Sequence, residues 1–415
     1  MKNKYLQNDK LSIAFFLILM LTYAVTYMTK NCYSAAMVLL VDDGILTKSQ
    51  TGTISASFYL FYAVFQVVGG FAADKFCPHK LITIGLVGAA IANAIVSVTD
   101  NYYVMLIVWS LNAIGQFGLW PAVFKLASTA LAPTHRKMAI FYITFSGSIG
   151  TVISYIVAAF TGNWRSNFVV STISLALIIA VWLISGRIFK KNMIENVPMD
   201  DGIVHNSHKS DEYSMKNIII TSGLILLLPV VVLRTMFDLG VQSITPTMIF
   251  ESYPNVSSSL ASILNLIPII IGVAGKFLMK YIYRGKDRND AAMMAIMFTI
   301  LLPFLCMMLL VGKIHVIFIV AFISIITMIA SMMSLVNTAY MPSRFTSTGR
   351  VATVSGLINA MASLGIVLSN FIFPRIADHM GWHAVTVSWI FFAGAALLIS
   401  ITAIVPWKRF VAKLK

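Results

Sequence analysis

Charge is scarce in this chain. Of its 415 residues only 11% are Asp, Glu, Lys or Arg, against 59% hydrophobic, whereas soluble domains carry roughly 25% charged residues. That shortage excludes a water-soluble fold. Cysteine is scarce too. Cys32, Cys77 and Cys306 lie far apart, with no CxxC and no neighbouring His pair, so neither a disulfide framework nor a zinc site is indicated. No metal and no cofactor are expected. GxSxG, HExxH, P-loop and dinucleotide-binding glycine patterns are missing from any suitable context, which leaves an enzyme or an ATP-driven pump without a motif.

What the chain has instead is long apolar runs. They recur from near Leu11 to near Val405, and runs of roughly 18 residues or more cross a hydrocarbon core of about 30 Å. A bilayer offers the backbone no hydrogen-bond partner, so these runs must be helices. Spans are predicted near 11–40, 51–72, 80–98, 103–126, 138–160, 166–188, 217–250, 257–279, 290–311, 314–338, 350–373 and 383–405. The expected fold is an all-α integral membrane protein with twelve transmembrane helices in two pseudo-symmetric six-helix bundles, residues 1–188 and 217–415. The stretch between them, 189–216, contains Glu195, Asp200, Asp201, His205 and His208 with hardly any apolar periodicity, and reads as a flexible solvated linker. The Lys-rich start imitates a signal peptide. The run from Leu11 is too long for one and lacks a small-residue cleavage pattern, so it reads as the first span.

The net charge of +15 raises the question of nucleic acid, and topology answers it. Basic residues gather in alternate connections: Lys2, Lys4 and Lys10, then Lys75 and Lys80, then Arg136 and Lys137, then the stretches 187–216, 280–288, 344–350 and 408–415. The intervening connections hold Lys48, Arg165, Lys313 and Arg375. The asymmetry fits the positive-inside rule with both termini in the cytoplasm. The expected partners are a lipid bilayer and a small molecule, not nucleic acid.

Four basic residues remain inside predicted spans: Lys30, Lys125, Arg234 and Lys276. A Lys or Arg at the centre of a span costs roughly 2.5–3.5 kcal/mol, so it faces a cavity or a partner. Lys125 and Lys276 lie near span ends and can snorkel. Lys30 and Arg234 follow the basic residues that open their halves, Lys10 and Lys216, at similar separations, which puts them at matching depth. In bundles built from two such repeats the ligand site lies near the midplane at the repeat interface. Two cations facing one cavity attract an anion, and an Arg fork suits phosphate or carboxylate oxygens. Against this stands Asp238, four residues after Arg234 on the same helical face, which can simply neutralise it. No other acidic residue lies within a span away from its ends, so that pairing leaves Lys30 unexplained. Tyr23, Tyr27 and Lys30 share one face of the first helix, and Tyr59, Tyr62 and Gln66 repeat that spacing in the second. Trp120, Asn337 and Tyr340 stand at further cavity-compatible positions, although aromatics near span ends are also interfacial anchors.

At these residues the sequence resembles the major facilitator superfamily. Gly70-Phe71-Ala72-Ala73-Asp74-Lys75, followed by Pro78 and Lys80, looks like that family's loop between helices two and three. The resemblance implies a gating role for Asp74 and Lys75, and Asp238 joins them as a gating candidate. Tyr27-Met28-Thr29-Lys30-Asn31-Cys32-Tyr33-Ser34, Gly118-Leu119-Trp120-Pro121, the Arg234 region with Thr245-Pro246-Thr247, and Gly349-Arg350-Val351-Ala352-Thr353 are similar to the organophosphate:phosphate antiporters. Departures from that pattern are Thr29 in place of an Arg, Gln66 in place of a Lys, and the absence of His from 138–160. The resemblance implies an alternating-access exchanger in a bacterial inner membrane, monomeric by default, in which Lys30 and Arg234 bind the anion. Tyr27, Tyr62, Gln66, Trp120, Asn337 and Tyr340 are then expected to shape the site. Two other readings are a carrier of a different organic anion, with proton coupling through Asp238, and a membrane sensor of the same fold that does not transport.

Overall fold

The structure is a computed structural model, and it describes residues 4–6, 8–195, 222–283, 289–345 and 351–413. Most of the expected linker and the Gly349-Arg350 pair fall outside the described residues. The chain divides into two compact units, residues 1–46 with 57–203 and residues 47–56 with 204–415.

Twelve helices are present among the described residues. They are α1 (Asp9–Asp42), α2 (Lys48–Lys75), α3 (Pro78–Ser97), α4 (Tyr102–Gly115, resumed at Leu119–Thr129), α5 (Pro133–Thr161) and α6 (Trp164–Asn192). From residue 222 onward come α7 (Leu224–Thr235, continued by Met236–Gly240 and Val241–Ser252), α8 (Ser258–Leu264 and Leu266–Ile282), α9 (Asp290–Met307) and α10 (Val316–Leu335, continued by Val336–Tyr340 and Met341–Ser343). The last helical stretch, Val351–Lys413, is broken at Gly381, whose φ of 78° and ψ of 174° no helix contains. That break makes it α11 (351–380) and α12 (382–413). The outward faces are apolar: Phe160 is 86% exposed, Phe391 72% and Leu398 67%, as lipid contact requires and water does not tolerate.

The helix starts are legible in the residues that hold them. Asn8, Asn101 and Asn289 each accept two backbone N–H groups from the first turns of α1, α4 and α9. Proline opens α3 and α5 at a position where its missing N–H costs nothing. One two-stranded ribbon departs from the all-α plan. β1 (Lys4–Leu6) pairs antiparallel with β2 (Met193–Glu195), Lys4 opposite Glu195, and Leu6 is fully buried and donates its N–H to the Ala130 carbonyl at 2.9 Å.

Inside the first unit, α1 lies close against α5. A methyl group on Gly150 would overlap the Ala24 carbonyl, so this approach needs glycine. Phe15, Leu19, Leu86, Leu119 and Trp182 centre its core. In the second unit Gly365 of α11 plays the same part against Val232 of α7, around a core of Phe237, Phe298, Ile323, Trp389 and Trp407. There Asp290, fully buried, ties four helices. It accepts from Arg344 Nε at 3.1 Å, from Trp407 Nε1 at 2.9 Å and from the Tyr283 hydroxyl. Burial and the facing Asp290 charge push the Tyr283 hydroxyl upward. Burial is the largest single influence on Arg344 and lowers it, yet the bonds and charges of Asp290 and Tyr283 together outweigh burial and raise it.

Candidate functional site

In the first unit the orientation of α1 is fixed by its neighbours. Asn31 Nδ2 donates to Thr151 Oγ1 of α5 at 3.0 Å, Cys32 Sγ contacts Asn93 Oδ1 of α3 at 3.1 Å, and Asn167 Nδ2 of α6 donates to the Cys32 carbonyl at 2.9 Å. These three pins set the direction of Lys30, which is 8% exposed. Its ammonium lies 3.9 Å from the centroid of the Tyr62 ring, 5.2 Å from Tyr59, 5.3 Å from Tyr27 and 5.5 Å from Phe58. The cage is itself packed: Phe58 and Tyr62 stack at 6.0 Å, Tyr23 meets Tyr27 at 4.8 Å, and Gly147 of α5 makes room for the Tyr27 ring.

Among the described residues no carboxylate is paired with Lys30. A cation–π contact is worth about 0.5–1 kcal/mol when exposed and about 2 or more when desolvated, so several faces offset much of the roughly 2.5–3.5 kcal/mol that a buried Lys costs. They do so without cancelling its charge. The aromatic cage therefore holds the Lys30 side chain inside the bundle by ring faces and supplies no counter-ion.

The second unit treats its cation differently. Arg234, 3% exposed, lies in the last turn of the first segment of α7, and the chain then makes the single π-turn Met236–Gly240 that carries Asp238. Such turns are found frequently at functional positions. Arg234 Nη1 donates to Asp238 Oδ2 at 2.8 Å and Nη2 to Thr235 Oγ1 at 2.7 Å, while Ser331 Oγ of α10 donates to Asp238 Oδ1 at 3.0 Å. The pairing read from the i, i+4 spacing is formed. Arg234 Nη1 also reaches the Ala330 carbonyl at 3.4 Å, whereas Nε is buried without a hydrogen-bond partner among the described residues.

Lys30, Tyr27 and Tyr62 are thus brought together, and so are Arg234 and Asp238. Asn337 sits in the π-turn Val336–Tyr340 of α10, fully buried, with neither its amide nitrogen nor its oxygen partnered among the described residues. An orphaned buried amide carries a desolvation cost of roughly 1–3 kcal/mol, which a ligand or an ordered water removes. Tyr340 instead packs tilted against Tyr283, their ring centroids 4.8 Å apart, beside the Asp290 cluster. Gln66, Asp74 and Lys75 lie on α2 and Trp120 on α4, and their side chains are outside the described residues. Tyr59, which shares the spacing of Tyr62 and Gln66, joins the Lys30 cage, and Phe58, Thr235 and Ser331, which the sequence pattern does not mark, complete the two constellations. Phe58 precedes Tyr62 by one helical turn and shares its face.

Two bundles of apolar helices, each holding a buried cation, describe a polytopic membrane transporter. The chain belongs to the Major Facilitator Superfamily, whose family model matches residues 19–370. The crystal structure of a bacterial homologue of the human lysosomal transporter Spinster, inward-facing and unoccupied, superposes with a TM-score of 0.74 at 16% identity, over 98% of this chain and 99% of that one. A D-xylose-proton symporter gives 0.71 at 16% identity, over 97% and 99%. At such identities the likeness is one of fold. By sequence, the chain is 28% identical over 179 residues to the hexuronate transporter of Bacillus subtilis, covering 42% of this chain and 41% of that protein. It is 25% identical over 170 residues to the membrane sensor protein UhpC of Escherichia coli, 40% of this chain and 38% of that one. A probable hexose phosphate transport protein of Chlamydia trachomatis is 26% identical over 121 residues, 29% and 26%. The matched segment spans less than half the length of each of these three relatives.

Proposed function

We propose that this protein is a secondary active transporter of a small organic anion, a phosphate ester such as a sugar phosphate, taken in exchange for inorganic phosphate by alternating access. The observation that carries the reading is Lys30, a buried ammonium caged by aromatic faces and paired with no carboxylate among the described residues. A charge kept in this way inside a membrane protein is a functional group by default. The relatives support the anion: their names specify hexuronate and hexose phosphate.

In this reading Lys30 and Arg234 bind the anion, and Tyr27, Tyr62, Gln66, Trp120, Asn337 and Tyr340 contact or shape the bound molecule. Asp74, Lys75 and Asp238 belong to gating, Asp238 by releasing Arg234 to the substrate. The protein acts as a monomer in a bacterial inner membrane with both termini in the cytoplasm. The experiment is exchange in proteoliposomes preloaded with radiolabelled phosphate. Efflux that starts on external addition of a sugar phosphate supports the reading, and efflux equally fast into buffer without a counter-substrate contradicts exchange.

A second reading is supported by the similarity to a membrane sensor protein. A sensor with this fold binds the same anion and changes shape without flux. Anion binding by the purified protein, with no flux from the same preparation in liposomes, favours it.

A further inference from the structure

Hydroxyls on α10 have an ordinary use. Ser324 Oγ donates to the Val320 carbonyl at 2.7 Å and Thr338 Oγ1 to the Ser334 carbonyl at 2.9 Å, each one turn back on its own helix. Ser331 departs from that pattern. Its Oγ crosses to α7 and donates to Asp238 Oδ1 at 3.0 Å. It is backed by α8, where a methyl group on Gly272 would stand only 3.0 Å from Ser331 Oγ and from Thr327 Cγ2. Ser331 and Gly272 are both buried, so the bond is made away from bulk water.

The consequence falls on Arg234. A carboxylate that gives both oxygens to one guanidinium makes the bidentate fork, the strongest form of this pair. Asp238 gives Arg234 one oxygen: Oδ2 accepts from Nη1 at 2.8 Å, while Oδ1 is taken by Ser331. The remaining contacts of the guanidinium are to neutral groups. Nη1 reaches the carbonyl of Ala330, the residue before Ser331, at 3.4 Å, and Nη2 donates to Thr235 Oγ1 at 2.7 Å, whose own proton goes to the Val231 carbonyl. Nε keeps an N–H without an acceptor among the described residues.

We infer that Ser331 is a positioning residue for anion binding: by drawing one oxygen of Asp238 to α10, it holds the Arg234–Asp238 pair to a single charged contact and reserves the Nε edge of the guanidinium for the substrate. The inference rests on the reading of Arg234 as an anion ligand. Ser331 itself touches no substrate and acts through Asp238. Arg234 has two opposed needs. While buried and empty it needs a counter-ion, because a buried charge left alone is costly, and to take an anion it needs a free N–H edge. A monodentate pair meets both needs, whereas a bidentate one meets only the first. Without Ser331, Oδ1 of Asp238 turns to Arg234 and makes a second charge-assisted hydrogen bond, which an incoming anion must then displace.

The test is equilibrium binding of radiolabelled inorganic phosphate to the purified full-length protein in detergent, with thermal unfolding measured on the same samples. Ser331→Ala removes one oxygen atom and is expected to raise the Kd about tenfold or more, the worth of one charge-assisted hydrogen bond. Ser331→Thr keeps the donor and is expected to bind like the wild type. Thr327→Val removes the hydroxyl one turn away, which has no partner among the described residues, and is expected to leave the Kd unchanged. A packing role predicts a different pattern, a lower unfolding temperature with an unchanged Kd. If the wild type binds phosphate and Ser331→Ala binds it equally well or better, the inference is overturned and the reading of Arg234 stands. A loss that Thr327→Val reproduces, or that Ser331→Thr fails to reverse at the wild-type unfolding temperature, overturns it as well. A wild type that binds no phosphate removes the reading of Arg234 as a phosphate ligand, and the inference with it.

Discussion

The Lys30 ammonium lies 3.9 Å from the centre of the Tyr62 ring, the nearest of four aromatic faces around it. A cage of this kind stabilises the cation by attraction to ring faces, which depends on the ring and not on the hydroxyl. Tyr62→Phe is therefore expected to keep the stability of the wild type, and Tyr62→Leu to lower it by about 1 kcal/mol or more. The decisive comparison is a double-mutant cycle with Lys30→Met, read by thermal unfolding in detergent. The cost of Tyr62→Leu should shrink by about 1 kcal/mol once the charge is gone. An undiminished cost means that Tyr62 is packing only.

Arg234 and Asp238 separate structural from functional roles in a different way. Removing one member of a buried pair leaves the other uncompensated, at about 3–5 kcal/mol. Asp238→Asn and Arg234→Gln are each expected to destabilise the protein by roughly that much, and the double substitution to recover most of the loss. If Arg234 binds substrate, the recovered double variant remains without transport. A double variant with both stability and transport restored shows the pair to be structural.

Asp290 is predicted to matter for stability alone. Asp290→Ala strands Arg344 and leaves the Tyr283 hydroxyl and Trp407 indole N–H without their acceptor, at an expected cost of about 3 kcal/mol. Its pH dependence has a definite sign. The folded Tyr283 hydroxyl holds its proton above the ordinary tyrosine range, so above about pH 10 the unfolded chain releases a proton that the folded one keeps. Stability from this group is present below pH 10 and declines above it. Unfolding midpoints measured from pH 8 to 10.5 should therefore fall less steeply for Tyr283→Phe than for the wild type.

What was legible in the sequence follows from what repeats and what does not. The spans were legible because a helix in lipid needs a long apolar run, and the Arg234–Asp238 pair because four residues is one turn. Tyr27 was found from its i+3 relation to Lys30, and Tyr62 from the matching pattern in α2. Phe58 escaped because a phenylalanine in an apolar run looks the same whether it faces lipid or a buried ammonium. The π-turns that carry Asp238 and Asn337 escaped because one inserted residue leaves no mark in the apolar pattern. Asp290 reads as an ordinary acidic residue in the first turn of α9; its role depends on Tyr283, Arg344 and Trp407, which come from three other helices. The β1–β2 ribbon is too short, at three residues a strand, to show any alternation.

The most direct test of the central claim is counterflow of radiolabelled phosphate against a sugar phosphate in proteoliposomes, comparing the wild type with Lys30→Arg and Lys30→Gln at equal insertion. Lys30→Arg keeps the cation and is expected to retain measurable exchange, whereas Lys30→Gln removes it and should lower exchange by about two orders of magnitude or more, as the loss of a buried charge-assisted contact to the anion predicts. Exchange by Lys30→Gln at the wild-type rate would show that Lys30 does not bind the anion.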